Sequence, residues 1–308
     1  MLRSYKFIKL YFLLICVFFI NTSVCASLYL PKNNQILRSK KGSIDDIEQD
    51  AFNYQIKTIV IDAGHGGHDT GAKGSFSLEK DNSLAIALKV GRLIKSNYPN
   101  IRVIYTRTTD VFIPLMERAA IANRNKADLF MSIHCNSTRL KKIKVVKKVN
   151  KKSIHTTKWV GDSSIFGTET YVLGLHRTKD NLEVASRENQ VILLEEDKGK
   201  KYEKFDIDTP EGAIMYSLMA SQNLEKSILF ASKVEENFTA GGRLSRGVQQ
   251  AGFLVLVQTS MPAVLIEVGF MTNPKEEAIL TSNSGRNQIA QSIFSAFKEY
   301  KSSVEKLN

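Results

Sequence analysis

Cysteine is scarce in this 308-residue chain, and two of its three cysteines, Cys16 and Cys25, fall within the first 26 residues. A chain that sheds that stretch keeps only Cys135, so an internal disulfide is excluded. Beside His134, the Cys135 thiol reads as a small buried residue at a strand end rather than as a nucleophile or ligand. Acids are missing from residues 138–160, where nine Lys or Arg crowd "TRLKKIKVVKKVNKKSIHTTKWV". A run of one sign without internal pairing reads as a solvated, mobile loop. The phosphate-cradling pattern is absent too, because Lys73 follows Ala72 where that loop needs G-K-[ST]. No internal repeat appears, which leaves one domain with elaborations.

Several features are present in force. Arg3, Lys6 and Lys9 precede an apolar run from Tyr11 to Ile20, and Val24-Cys25-Ala26 offers a cleavage site. That is the pattern of a signal peptide over residues 1–26, with an apolar run too short for a comfortable membrane span. The chain is therefore expected to be exported, to the periplasm or cell envelope. The formal charge is +12, and removal of residues 1–26 takes away three cations and no acid, leaving +9. Exported and basic, the protein is expected to meet an anionic wall or membrane surface through the basic tract, and not nucleic acid.

Residues 27–55 are polar and mixed in charge, and read as a linker. "KTIVIDAG" is a short β-branched strand. "SLEKDNSLAIALKVGRLIKSN" has helical spacing, "IRVIYTR" is a second strand, and "PLMERAAIANRNKA" is a helix with Pro114 in its first turn. "DLFMSIHCN" follows as a strand. Strand and helix alternate, so the chain predicts an α/β domain, over 56–300, with a largely parallel sheet. The order breaks after the basic insertion of 138–160. A strand "GTETYVLGL" leads into a polar inserted segment, 176–242, with helical stretches near "DNLEVASRENQVILLEE" and "AIMYSLMASQNLEKSILFASKVEENF". Regular order resumes with "GVQQAGFLVLVQ", "PAVLIEVGFMTN" and a terminal helix from about Lys275 to Tyr300, leaving 301–308 as a tail.

Three strands end in residues able to bind metal or move protons: His65, His134 and Glu267. Parallel sheets gather ligands at the carboxyl ends of their strands, so these distant residues can converge. Glu79, opening the first helix, adds a fourth. Two imidazoles and a carboxylate make a common catalytic zinc set with one position left for water, and a further carboxylate can take that water's proton. From spacing alone the alternative stands level: the histidines as satisfied strand-end residues, Glu79 and Glu267 as caps or ion-pair partners. Asp62 is a candidate acceptor for a ligand histidine. His68 reads as a solvent-facing loop residue, His155 belongs to the basic tract, and His176 reads as local structure.

The stretches "IDAGHGGHDTGAKG", "EKDNSLAIALKVGRLI", "TRTTDVFIPLMERAAIAN", "SIHCNS", "GTETYVLGLHR", "RGVQQAGFLVL" and "PAVLIEVGFMTNPKEEAIL" occur in this order. Together they resemble the zinc-dependent N-acetylmuramoyl-L-alanine amidases of the amidase-3 family. The resemblance implies a mixed six-stranded sheet flanked by helices. It implies one zinc ion per chain on His65, Glu79 and His134, with Glu267 as general base. It further implies hydrolysis of the amide joining N-acetylmuramic acid to L-alanine in peptidoglycan, for wall remodelling or daughter-cell separation. Arg246 is a candidate for holding a stem-peptide carboxylate. Related amidases with an insert in the later part of the domain are held inactive by a helix until an activator protein displaces it. Acids of the 176–242 segment, Glu183 and Glu188 among them, are then candidates for closing the metal position; the competing reading makes the segment a fixed wall of the groove. A peptidase cutting within the stem peptide and a non-catalytic wall-binding protein are the alternatives in function. No separate wall-binding module is visible.

Overall fold

The computed structural model describes residues 55–149, 152–175, 178–197, 200–205 and 209–306. The signal-peptide segment, all of the expected linker but its last residue, and His176 lie outside the described residues. From Ala51 onward the chain forms one compact unit.

The main sheet begins with strand β1, Thr58–Ala63, in which all six residues are buried. A continuous β-branched run suits a strand covered on both faces, and β1 lies between two parallel neighbours. These are β2, Arg102–Tyr105, and β3, Leu129–Asn136. β8, Ala263–Phe270, pairs in parallel with β3, and β6, Thr168–Leu173, runs antiparallel to β8. β7, Ser245–Ala251, closes the sheet in parallel with β6, giving the six-stranded order β2-β1-β3-β8-β6-β7. The expected mixed, largely parallel sheet is thus the one observed.

Helix α1, Glu79–Asn97, packs Ile86, Val90 and Ile94 on one face of the sheet. Its Gly91 is needed there, because a Cβ would stand 2.0 Å from the Tyr105 hydroxyl. The same face is covered by α5, Leu224–Ala240, and by α8, Asn283–Lys306. Helix α2, Leu115–Arg124, lies over the other face, with Pro114 at its N-cap. The inserted segment joins that second face through α3, Lys179–Asn189, two 3-10 turns at Gln190–Leu194 and Lys200–Phe205, and α4, Pro210–Ser221. Val184, Ala185, Val191, Tyr202, Phe205 and Tyr216 of this segment are buried in the core.

Several expectations need correction. The single helix read near residues 213–238 is two, α4 and α5, and "GVQQAGFLVLVQ" is β7 followed by the short helix α6, Leu254–Val257. The terminal helix is likewise split, into α7, Pro274–Thr281, and α8, and α8 takes in most of the expected tail. Asn273 caps α7, accepting from the Lys275 and Glu276 N–H groups, and Ser282 makes the break: its backbone is extended at φ −74° and ψ 147°, and its hydroxyl accepts the Gly285 N–H at 3.0 Å in the first turn of α8. The basic tract is no loop. It forms β4, Lys141–Val149, and β5, Lys152–Val160, an antiparallel two-stranded sheet of its own. The alternation of lysine with Ile and Val drives this, since β-branched residues at short intervals favour a strand even amid charge.

Candidate metal centre

His65, Glu79, His134 and Glu188 each bring a ligand atom to one place, all within 4.8 Å of one another. His65 stands just past β1, and its carbonyl accepts from the buried Arg118 at 3.0 Å. That bond helps hold His65 at φ 62°, a left-handed conformation rare outside glycine. Arg118 also donates to Asp62 and the Ala63 carbonyl, both at 3.0 Å, and Arg107 reaches the carbonyls of Ala63 and Gly64. Two buried guanidiniums therefore fix the turn on which His65 sits. Gly64 leaves room for the second imidazole, since a Cβ there would lie 2.4 Å from His134.

Asp69 accepts from His65 Nδ1 at 2.8 Å and so turns Nε2 toward the cluster. Asp62, the acceptor expected from the sequence, instead takes hydrogen bonds from Thr106, Ser132 and Arg118. Glu79 opens α1 and accepts the backbone N–H groups of Ala72 and Cys135. His65 Nε2 and His134 Nδ1 each lie 3.1 Å from Glu79 Oε1, and at 3.1 and 3.0 Å from Glu188 Oε2. A tetrahedral zinc with bonds of about 2.0–2.1 Å needs ligand atoms roughly 3.3 Å apart, close to these edges. His65 Nε2 and Glu188 Oε2 are buried without a hydrogen-bond partner. The donor set thus fits a metal ion, with two neutral nitrogens and carboxylate oxygen.

Electrostatics tell the same story. Burial opposes charge on His65, but Glu79, Asp69 and Glu188 raise its pKa well above the imidazole range. Burial likewise opposes charge on His134, and Glu188 and Glu79 bring it up to about 9. Glu79 is held at about 2, against its burial, chiefly by His65.

Glu267 faces His134 across the β3–β8 ladder, fully buried, with neither carboxylate oxygen hydrogen-bonded. Burial first, then Glu188 and Glu79, push its carboxyl well up. Arg187 Nη2 lies 3.7 Å from it. Arg187 and Glu188 are neighbours on α3, and Arg187 also donates to the Ser137 carbonyl at 2.6 Å and to Asn136 Oδ1 at 2.9 Å. Glu183, one turn earlier, does not reach the cluster; it is exposed, 4.0 Å from Arg139. Arg246 also stands outside the four, its Nε on Glu169, which accepts from Asn136 and Tyr171 as well. His68 is exposed and stacks on Phe112. Cys135 is buried, its thiol pushed well up by burial, Glu79 and Glu267, as suits an inert core residue. Sequence reasoning missed Asp69, Arg107, Arg118 and Arg187. Asp69 alone had a signal, its place four residues beyond His65 in the same loop.

An α/β domain with this cluster beside the carboxyl ends of β1 and β3 has the layout of an enzyme's catalytic domain. The family model described as N-acetylmuramoyl-L-alanine amidase matches residues 59–299. The chain is 33% identical over 239 residues to N-acetylmuramoyl-L-alanine amidase AmiA of Escherichia coli, covering 77% of this chain and 73% of that one. It is 32% identical over 246 residues to AmiA of Salmonella typhimurium, covering 79% and 76%. The crystal structure of N-acetylmuramoyl-L-alanine amidase from Clostridium difficile 630 superposes with a TM-score of 0.55 at 26% identity, covering 81% of this chain and 99% of that chain. The chain belongs to the N-acetylmuramoyl-L-alanine amidase family, a family of peptidoglycan hydrolases.

Proposed function

We propose that this enzyme cleaves the amide between N-acetylmuramic acid and L-alanine of the stem peptide, with one zinc ion held by His65, Glu79 and His134. The observation that carries this is the convergence of two imidazoles and a carboxylate beside Glu267, whose carboxylate oxygens accept no hydrogen bond. When bound, zinc supplies Lewis-acid chemistry, polarising a carbonyl and acidifying a water. Glu267 takes the proton of the attacking water and returns it to the departing alanine nitrogen. Asp69 keeps His65 in the tautomer that turns Nε2 toward the ion. Arg246, with its side chain about a third exposed, is the proposed holder of a stem-peptide carboxylate.

Glu188 supports a regulatory reading of α3. An anionic oxygen of the inserted segment stands 3.0–3.1 Å from both imidazoles of the cluster, where it would occupy the position a catalytic zinc leaves for water. In this reading α3 is a gate, and an activator protein displaces it by binding the opened form more tightly. The gate is firmly seated. Val184 and Ala185 are buried, Asn189 bonds the Gly252 carbonyl and Leu254 N–H, and Arg187 is tied to Ser137 and Asn136. Export to the periplasm or envelope completes the proposal. Digestion of defined muropeptides by the zinc-loaded protein, with mass spectrometry of the products, tests the reaction. A new N-terminal alanine on the stem is expected; cuts within the stem would make the protein a peptidase.

A further inference from the structure

The β4–β5 ribbon serves no part of the hydrolytic reading. Its strands pair with each other and with no strand of the main sheet. It leaves the domain directly after β3, the strand of His134, and its base is pinned there: Asp162 N donates to Thr138 Oγ1 at 2.7 Å, and Thr138 meets Thr272 Oγ1 at 3.2 Å. Nine-residue strands at about 3.4 Å per residue reach roughly 30 Å. A lone two-stranded hairpin is marginal in water, so a partner surface would add to its stability.

Its chemistry limits what that surface can be. Residues 139–158 hold nine Lys or Arg and no acid. Cross-strand pairs set Lys141 against Val160 and Ile143 against Lys158, so ammonium and aliphatic groups are interleaved instead of segregated. Ile143 is 41% exposed and Val146 53%, and Leu140 at the base is 45% exposed. A soluble polyanion would answer the lysines and leave the aliphatic groups in water. An anionic bilayer answers both, with phosphates for the ammonium groups and an apolar boundary for Ile, Val and the lysine stems. The chain's single tryptophan, Trp159, belongs to β5, and tryptophan is the residue type most at home at a membrane interface. We propose that the β4–β5 ribbon is a membrane-surface arm that seats on anionic phospholipid and holds the metal centre beside that surface. Each cation near such a surface strengthens partition by about fivefold.

Because Trp159 is the only tryptophan, its emission in the full chain reports this ribbon alone. Phosphatidylglycerol-containing vesicles are expected to shift that emission to the blue, phosphatidylcholine vesicles not, and added salt to reverse the shift. The apolar run near the N-terminus is the same in every variant, so differences between variants belong to the ribbon. Replacing Lys141, Lys142, Lys144 and Lys158 with serine is expected to weaken anionic-vesicle binding at least a hundredfold. Ile143→Ser with Val146→Ser is expected to weaken it severalfold while leaving binding of inorganic polyphosphate unchanged. Circular dichroism on each variant verifies the fold. Absence of the shift with anionic vesicles overturns the proposal. So does full vesicle binding by the Ile143→Ser/Val146→Ser variant, which would make the ribbon a general polyanion site.

Discussion

The four residues of the candidate metal cluster come from two kinds of structure. His65, Glu79 and His134 sit where strands and a helix of the main sheet leave them little freedom. His65 is held by Arg118, Arg107 holds the turn before it, Glu79 is bonded to two backbone N–H groups, and the His134 ring packs against Gly64. Glu188 arrives on α3, a helix of the inserted segment held by the buried Val184 and Ala185 and by hydrogen bonds of Arg187 and Asn189. That insert also carries the exposed Leu193, Ile214 and Leu218, at 60–63%. In the proposed reading this difference separates what stays rigid for the chemistry from what is able to leave: three residues of the cluster are built into the scaffold, and the fourth comes on the inserted segment.

Breaking the scaffold side should have the largest effects. His134→Ala is expected to remove the metal and all measurable hydrolysis, with metal per chain falling from one towards none by elemental analysis. Retention of a full ion would take His134 out of the site. Glu267→Gln should keep the metal and lose roughly 10²–10⁴-fold in turnover, because an amide cannot accept the water proton. Loss of metal in that variant would instead make Glu267 a ligand. Asp69→Asn is milder, since it disturbs only the orientation of His65. A loss of about 10–100-fold in metal affinity is expected, read by chelator competition. Unchanged affinity would show that the His65–Asp69 bond does not support the ligand.

These two kinds of structure also differ in how plainly the sequence declares them. β1, β3 and β8 are buried along their whole length, so "TIVIDA", "LFMSIHCN" and "AVLIEVGF" are readable as strands. Their last residues are then brought together by any parallel sheet. Arg107 and Arg118 are hidden because the bonds that fix the His65 turn reach backbone carbonyls more than 40 residues away, and no local pattern marks such a bond. Glu188 was one acid among several. What selects it over Glu183 is helical phase: Val184 and Ala185 turn one side of α3 into the core, which leaves Glu188 and not Glu183 toward the site. The ribbon is hidden in the sequence because lysine dominates "KKIKVVKKV", and a charge run masks a β-branched alternation.

On the docked side, Glu188→Ala should free the metal position without removing a scaffold ligand. Basal hydrolysis is expected to rise about tenfold, with metal content unchanged. A fall in both metal and activity would make Glu188 a permanent ligand and the insert a fixed wall. Replacing all of 180–200 is a poorer test, because it would also strip Val184, Ala185 and Val191 from the core.

Arg187→Ala sharpens the comparison with the smallest effect. Its guanidinium touches no metal-ligand atom of the scaffold, yet it joins α3 to Ser137 and Asn136, just beyond His134 on β3. Hydrogen bonds from a charged group contribute roughly 1.5–3 kcal/mol each when buried. Here the side chain is 28% exposed, so water replaces about half of what the two bonds give at the low end, leaving about 1.5 kcal/mol for the pair together. A loss of about 1.5 kcal/mol multiplies the open population of the helix roughly tenfold at most. Amide exchange should therefore quicken by about three- to tenfold along Lys179–Asn189 and stay unchanged in β1, β3 and β8. Hydrolysis should rise less than in Glu188→Ala, because the blocking carboxylate is still present whenever the helix is closed. If exchange quickens equally in α3 and in the central strands, Arg187 belongs to the scaffold and the division between built-in and docked ligands fails at this residue.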